Sequence, residues 1–440
     1  MGRRLAALGA QLGQPFGALR TKLFTRNKKR PAPTSKSAKK ATEPKPDRTT
    51  PRGPDLLILA ATFALVGLGL VMVYSSSAVF AGSRYGNATH FLTRNIIYAF
   101  IGLGALYVGA RVPYRYYQRG ALPLLAVTLL ALVALLVPGL GTKVDGAVRW
   151  FRVGGLSFQP TEAAKFALIV YLAYSLAKKR SSMRNFSIGF LPHLCVAGVM
   201  ALLVLRQPDL GNAAILIAVT MLLLLIAGTK ISYVLLASLT AFPLAYQQIV
   251  GTPWRMRRLL AFLDPWAYRR DAGYQIAESL ISVGAGGVKG LGLGDGKQKL
   301  FFLPAAHTDF IFAAIGEELG FIGILIVIGL FLLLAMRGVR AAIGARDLFG
   351  TYLAYGITAI FSLQALLHMA VVLGLVPTKG IPLPLVSYGG SALVTSMFCI
   401  GVLINVGQRN ERPALKRAVE AKTTTGRNRR RTHRVVVETD

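Results

Sequence analysis

The chain has 440 residues, 51 lysines and arginines against 18 acidic residues (formal charge +33), yet 53% of it is hydrophobic and only 16% charged. A soluble domain carries roughly 25% charged residues, a mean hydropathy of +0.51 points the other way, and a nucleic-acid binder this basic does not also repeat long apolar runs. Aliphatic content excludes disorder of the bulk, and Cys195 and Cys399, both in apolar runs, leave no disulfide framework or Cys-based metal site, so the class is an all-α polytopic integral membrane protein with basic appendages.

Residues 1–54 form a Pro-, Ser-, Thr- and Lys-rich tail with 14 basic residues against Glu43 and Asp47, a composition expected to stay solvated and disordered. Arg3 and Arg4 precede no adequate apolar stretch, so no secretory signal is expected; the scarcity of acids leaves an organellar transit peptide as the minor alternative. Crossing the ~30 Å hydrocarbon layer takes about 20 mainly apolar residues. That ruler gives ten candidate spans at 55–79, 92–112, 121–138, 161–177, 188–205, 211–228, 231–250, 310–336, 349–375 and 386–407. A second basic tail occupies 409–440. An even number of spans puts both tails on one side, with 35 of the 51 basic residues, and the positive-inside rule makes that side cytoplasmic.

Outside the tails there are twelve acidic residues. Asp55 and Asp347 edge cytoplasmic span ends; the other ten fall in outer loops or at span ends touching that face, which places the polar site there. Ser157-Phe158-Gln159-Pro160-Thr161-Glu162 opens one span, with Pro160 suited to the first helical turn and Glu162 paired i,i+3 with Lys165 at the membrane edge. A structural pair is the default for these two and a substrate contact the alternative. Asp209, in Gln207-Pro208-Asp209-Leu210-Gly211, can cap the next span.

The loop between spans 7 and 8, residues 251–308, is too long for a simple connector. It contains Trp254-Arg255-Met256-Arg257-Arg258, then a glycine-dense run at 284–296 suited to close approach of a ligand or another segment. Lys297 and Lys299 follow, and 302–309 leads into the next span, where Thr308 or Asp309 is expected to cap the helix. Asp309 is either a plain N-cap or part of a polar site, and the arginines either lipid-phosphate anchors or ligand contacts. On a continuous helix Asp309, Gly316 and Gly320 would share one face, while Glu317 or Glu318 is expected to be a satisfied structural carboxylate. Three prolines and three glycines in 377–391 forbid a plain helix and point to a partly re-entrant, protein-covered segment. His193 and His368 lie inside spans and should be hydrogen-bonded within the bundle; His307 alone neighbours the polar collection. No HExxH, P-loop or GxSxG spacing occurs.

Together, Ser157 to Lys165; Gln207-Pro208-Asp209-Leu210-Gly211; Arg258 through Phe262-Leu263-Asp264-Pro265-Trp266; Gly273-Tyr274-Gln275; His307-Thr308-Asp309-Phe310-Ile311-Phe312; Gly316-Glu317-Glu318-Leu319-Gly320; and 382–391 resemble the SEDS family (shape, elongation, division and sporulation; the FtsW, RodA and SpoVE proteins) over 55–408. Gly273-Tyr274-Gln275, Gln298-Lys299 and Ile315-Gly316-Glu317-Glu318 look more like the division members than the elongation members. Two departures stand out: Ala305 replaces the Glu that division members carry, and Tyr268-Arg269-Arg270-Asp271 replaces the usual Asp-Pro spacing after the Trp.

The resemblance implies ten spans, both termini cytoplasmic, and polymerisation of lipid II, the undecaprenyl-pyrophosphate-linked disaccharide-peptide, on the outer face of the bacterial cytoplasmic membrane, here at the division septum. It implies a class B penicillin-binding protein transpeptidase and other divisome membrane proteins as partners, and no nucleic acid. The family's essential Asp maps onto Asp309, as general base or as ligand of a divalent cation (Mg or Mn), with no organic cofactor. Arg258, Lys299, His307, Glu162, Lys165 and Ser387 are the expected substrate contacts. The competing classes are a lipid II flippase, an elongation-type polymerase and a non-catalytic division scaffold.

Overall fold

A computed structural model describes residues 53–144, 147–153, 156–297 and 300–408. The basic tails up to residue 52 and from residue 409, and Asp145, Gln298 and Lys299, lie outside the described residues.

All ten expected spans contain a helix. In chain order the helices are α1 (Leu56–Tyr85), α2 (His90–Arg111), a short α3 (Arg115–Arg119), α4 (Ala121–Ala134), α5 (Pro160–Lys178), α6 (Leu191–Arg206), α7 (Leu210–Ile226), α8 (Ile231–Val250), α9 (Pro253–Leu263), α10 (Tyr274–Ala285), α11 (Ile311–Gly344), α12 (Leu348–Val372) and α13 (Gly390–Gln408). Among the described residues, six helical segments are long and apolar enough to cross a membrane: Leu56–Tyr85, His90–Arg111, Phe186–Arg206, Ile311–Gly344, Leu348–Val372 and Gly390–Gln408. The chain is thus a mostly helical, multi-pass membrane protein.

The helix starts follow local chemistry. Asp55 accepts the Leu57 N–H, Asp209 the Asn212 N–H and Asp347 the Gly350 N–H, each satisfying an amide without an intrahelical partner, and Pro160 and Pro253 sit in first turns. Aliphatic faces then pack α13 against α2, α11 against α1 and α12, and α5 and α7 against α12. Asn405 joins α13 to the end of α2, donating to Ala110 O at 2.6 Å and accepting the Tyr114 N–H at 3.1 Å. The core of aliphatic and aromatic side chains runs through these helices.

Two ends of the bundle can be told apart. At one, Arg337 late in α11 pairs with Asp55 ahead of α1, with Nε 2.9 Å from Oδ2. At the other, Phe80 near the end of α1 and Phe91 at the start of α2 meet His307, just before α11.

The all-α expectation needs correcting in one place. Three short strands, β1 (Thr142–Val144), β2 (Ala147–Val153) and β3 (Leu156–Phe158), form an antiparallel sheet in the order β1-β2-β3 between α4 and α5. In the sequence, Asp145-Gly146 and Gly154-Gly155 are dipeptides of the kind favoured in hairpin turns and are flanked by β-formers, a signal distinct from apolar run length. The long loop also carries two helices, α9 and α10, of which α9 places Arg255, Arg257 and Arg258 on about one turn.

Candidate active site

Asp309 does not cap or belong to a helix, contrary to the sequence expectation. α11 starts at Ile311, its N-cap is Phe310, and no side chain caps it. Asp309 lies on a tight turn around the Ala305 carbonyl, which accepts the N–H groups of Thr308, Asp309 and Phe310 at 3.0, 3.1 and 3.3 Å and the Thr308 hydroxyl at 3.2 Å. Ala305 itself takes a left-handed φ of 55°. The expected shared helical face of Asp309, Gly316 and Gly320 therefore does not exist: one residue precedes the helix, and Gly320 (φ 67°, ψ −164°) breaks it.

The 374–389 segment braces this turn. It is non-helical, as its prolines and glycines foretold, and its Ile381, Leu383, Leu385 and Val386 are buried. The Ser387 hydroxyl donates to Thr308 O at 2.7 Å and accepts the Leu383 N–H at 2.8 Å; the Tyr388 N–H donates to His307 O at 3.0 Å. Ser387 thus spends its hydroxyl on holding the turn. His368 in α12 fixes the same segment through Nδ1, 2.7 Å from Ile381 O. As a result Gly380 lies directly on the Asp309 carboxylate: a Cβ there would stand 3.0 Å from Oδ2.

Arg258 is half-buried on α9 and lies over the Trp254 ring, 5.2 Å from its centroid. Burial lowers its pKa, the Asp309 charge acts to raise it, and Arg149 lowers it further; an arginine so placed keeps its proton. Asp309 and Arg258 are thereby brought within each other's field. Arg149, on β2, is a contributor that no motif in the sequence marks. Its Nε–H donates to Gln207 O at 2.9 Å and its Nη2 to Pro208 O, so the hairpin is tied to the turn before α7. Lys379, beside Gly380, is also partly buried, and burial lowers its pKa.

His307 is packed among Phe91, Tyr388 and Phe80, with ring centroids at 4.6, 5.9 and 6.1 Å. Burial lowers its pKa to about 4, so near neutrality it is an uncharged aromatic-cluster member and a poor proton donor.

The other candidates occupy different places. Lys165 donates to Glu162 Oε1 at 2.7 Å, with side chains only 4% and 5% exposed. The pair, in the first turns of α5, is buried within the bundle and lines a small cavity with Gln364, Thr395, Ser396 and Cys399, to which no residue of 251–309 contributes. Lys299 lies outside the described residues.

Glu317 and Glu318 are structural, as expected. The Lys297 N–H donates to Glu317 Oε1 at 2.7 Å, the Gly294 N–H to Glu318 Oε2 at 3.0 Å, and the Ser75 hydroxyl on α1 to Glu318 at 2.6 Å. Where Gly320 interrupts α11, the glycine-dense run satisfies the released backbone. Leu291 and Gly292 donate to Glu317 O and Glu318 O at 3.0 and 3.1 Å; Phe321 and Ile322 donate to Gly287 O and Val288 O at 2.9 and 3.2 Å. At membrane depth every such group needs a partner inside the protein.

Among the described residues no three His, Cys, Asp or Glu side chains come together as a metal site.

The fold and site define a multi-pass membrane protein with a carboxylate on a braced turn, within the electrostatic reach of an arginine, at one end of a helical bundle. The chain belongs to the FtsW/RodA/SpoVE family, whose cell cycle protein model matches residues 55–412. It is 47% identical over 352 residues to a probable peptidoglycan glycosyltransferase FtsW of Trichlorobacter lovleyi, covering 80% of this chain and 92% of that one. A chain from a peptidoglycan synthase complex that coordinates polymerization and crosslinking superposes with a TM-score of 0.68 at 28% identity, covering 81% and 98%. The rod shape determining protein RodA of Thermus thermophilus superposes at 0.61 with 26% identity, covering 82% and 98%.

Proposed function

We propose that the chain is a peptidoglycan glycosyltransferase of the division type, polymerising lipid II on the outer face of the bacterial cytoplasmic membrane at the septum. The supporting observation is the Asp309 carboxylate held against Gly380 within the field of Arg258. Family membership and the FtsW relative supply the reaction. The acceptor sugar hydroxyl forms a bond to the donor's anomeric carbon, its proton passes to Asp309, and the bond to the lipid pyrophosphate breaks. Arg258 neutralises the departing pyrophosphate, assisted by Lys299. His307, Ser387 and Lys379 act by shaping and bracing. A divalent cation at this place would be held mainly by substrate oxygens, with Asp309 as its protein carboxylate; no step here depends on it.

In this reading the chain makes ten crossings, with α4, α5, α7 and α8 completing the six longer spans, 251–308 lies outside, and residues 1–54 and 409–440 are cytoplasmic tails. The synthase complex among the structural neighbours supports a transpeptidase partner of the class B penicillin-binding type. One observation favours translocation of lipid II instead: the interior Glu162–Lys165 pair beside a cavity.

Purified protein with its partner and labelled lipid II in liposomes tests the assignment. Long glycan strands from the parent and none from a folded Asp309→Asn are expected. Strands from Asp309→Asn at the parental rate overturn the role of Asp309; transbilayer movement without strands identifies a flippase, and neither a scaffold.

A further inference from the structure

At the end of the bundle away from Asp309, where α2 ends and α4 and α12 begin, lies a cleft of ≈ 680 Å³. Arg115, Gln118, Arg119, Leu122, Tyr174 and Asp347 line it. Its charge balance is positive. Asp347 is its one lining acid, and that carboxylate is engaged elsewhere: Oδ1 accepts the Gly350 N–H at 2.7 Å and Oδ2 the Tyr114 hydroxyl at 3.0 Å. Arg115 Nε stands 3.7 Å from Oδ2, longer than a hydrogen bond, so the guanidinium is attracted to Asp347 without being consumed by it. Lys178 lies over the Tyr174 ring at 5.9 Å and adds to the field. Leu122 is 55% exposed on the rim, so the cleft has cationic walls and an apolar lip where an amphiphile's headgroup and first methylenes meet.

The geometry points to a binding site for the phosphate of an anionic phospholipid headgroup, its ester oxygens taken by Arg115 and Arg119 and its chains passing over Leu122. Guanidinium groups match phosphate oxygens two at a time, and basic pockets at the ends of membrane helices capture acidic headgroups. The chain's own terminal segments do not complement the cleft, since 1–54 and 409–440 both carry a large excess of Lys and Arg. The site is independent of the proposed reaction, being at the opposite end of the bundle.

Native mass spectrometry of the full-length protein, delipidated and offered phosphatidylglycerol or phosphatidylcholine of matched chains, reads the site. The parent should retain phosphatidylglycerol roughly tenfold or more over phosphatidylcholine, the double variant Arg115→Gln/Arg119→Gln should lose that preference, and Arg111→Gln, at the same end but outside the cleft, should keep it. A thermal melt of the double variant at the parental temperature separates loss of binding from loss of fold; if that variant unfolds, the milder Arg119→Gln alone should reduce the preference. Equal retention of both lipids by the parent, an unchanged preference in a folded variant, or an equal loss in Arg111→Gln overturns the proposal. Displacement of the lipid by inorganic phosphate also overturns it, identifying a free-anion site instead.

Discussion

The backbone of Gly290 fills the gap that Gly320 opens in α11. Gly290 has a φ of 82° and Gly320 a φ of 67°, and a Cβ on either would overlap the other's backbone or the Glu318 carbonyl. The outer glycine run and the broken helix are therefore one unit. Gly320→Ala meets both a steric overlap and a backbone conformation that only glycine adopts readily, and should destabilise the protein by about 2 kcal/mol or more. Gly67→Ala, with no neighbour within 4 Å of its Cβ, should leave the melting temperature unchanged or slightly raised. Thermal melts in detergent compare the two.

Glu318 ties that unit to α1 through Ser75. Glu318→Ala would remove the carboxylate that the half-buried Ser75 hydroxyl and the Gly294 N–H donate to, at about 1.5–3 kcal/mol for a hydrogen bond to a charged group. Polymerisation should fall together with thermal stability. Glu318→Gln keeps one acceptor oxygen and should retain an intermediate melting temperature. Equal melting temperatures for the Ala and Gln variants would refute the clasp.

The Glu162–Lys165 pair should obey the rule for interior ions. Removing one partner strands the other charge and costs about 3–5 kcal/mol, whereas removing both is far milder. Glu162→Gln and Lys165→Met are each expected to lower the melting temperature strongly, and the double variant to recover much of it. A double-mutant cycle measures the coupling. A cycle with no coupling would mean that the two side chains do not share their charge in the folded protein.

His307 gives the fold a pH dependence of definite sign. Its pKa is lowered from 6.5 to about 4 by burial, so the unfolded chain binds the proton more tightly than the folded one. Its contribution is fully present above pH 6.5 and is lost as pH falls from there toward 4. His307→Phe keeps an aromatic ring among Phe80, Phe91 and Tyr388 and should flatten the melting-temperature profile in that window. An identical profile for parent and variant would place the titrating group elsewhere.

Much of this was legible from local chemistry. Asp209 and Pro160 announce helix starts because their reach is one turn, and Glu162 finds Lys165 because residues three apart share a helix face. His193 does bond within the bundle, to Gly189 O at 2.7 Å and Ser175 Oγ at 2.8 Å. The prolines and glycines of 377–389 forbid a helix wherever the segment sits. Less legible was anything that assumed a helix to be continuous. The wheel aligning Asp309 with Gly320 failed because the Ala305 carbonyl collects the amides ahead of Ile311 and because Gly320 reverses its φ. Arg149 escaped notice because its relation to Arg258 crosses more than a hundred residues of chain.

The sequence by itself determined a multi-pass helical membrane protein and its family, and singled out Asp309 as a candidate, since apolar length, charge distribution and ordered motifs act locally and survive without a fold. Only the tertiary structure decided what surrounds that aspartate. Gly380 lies on its carboxylate, Ser387 holds its turn, and its charge acts on Arg258, which Arg149 also influences. Such contacts are made by long-range packing of backbone groups that must all be satisfied within the protein, and no local pattern encodes which distant segment will satisfy them.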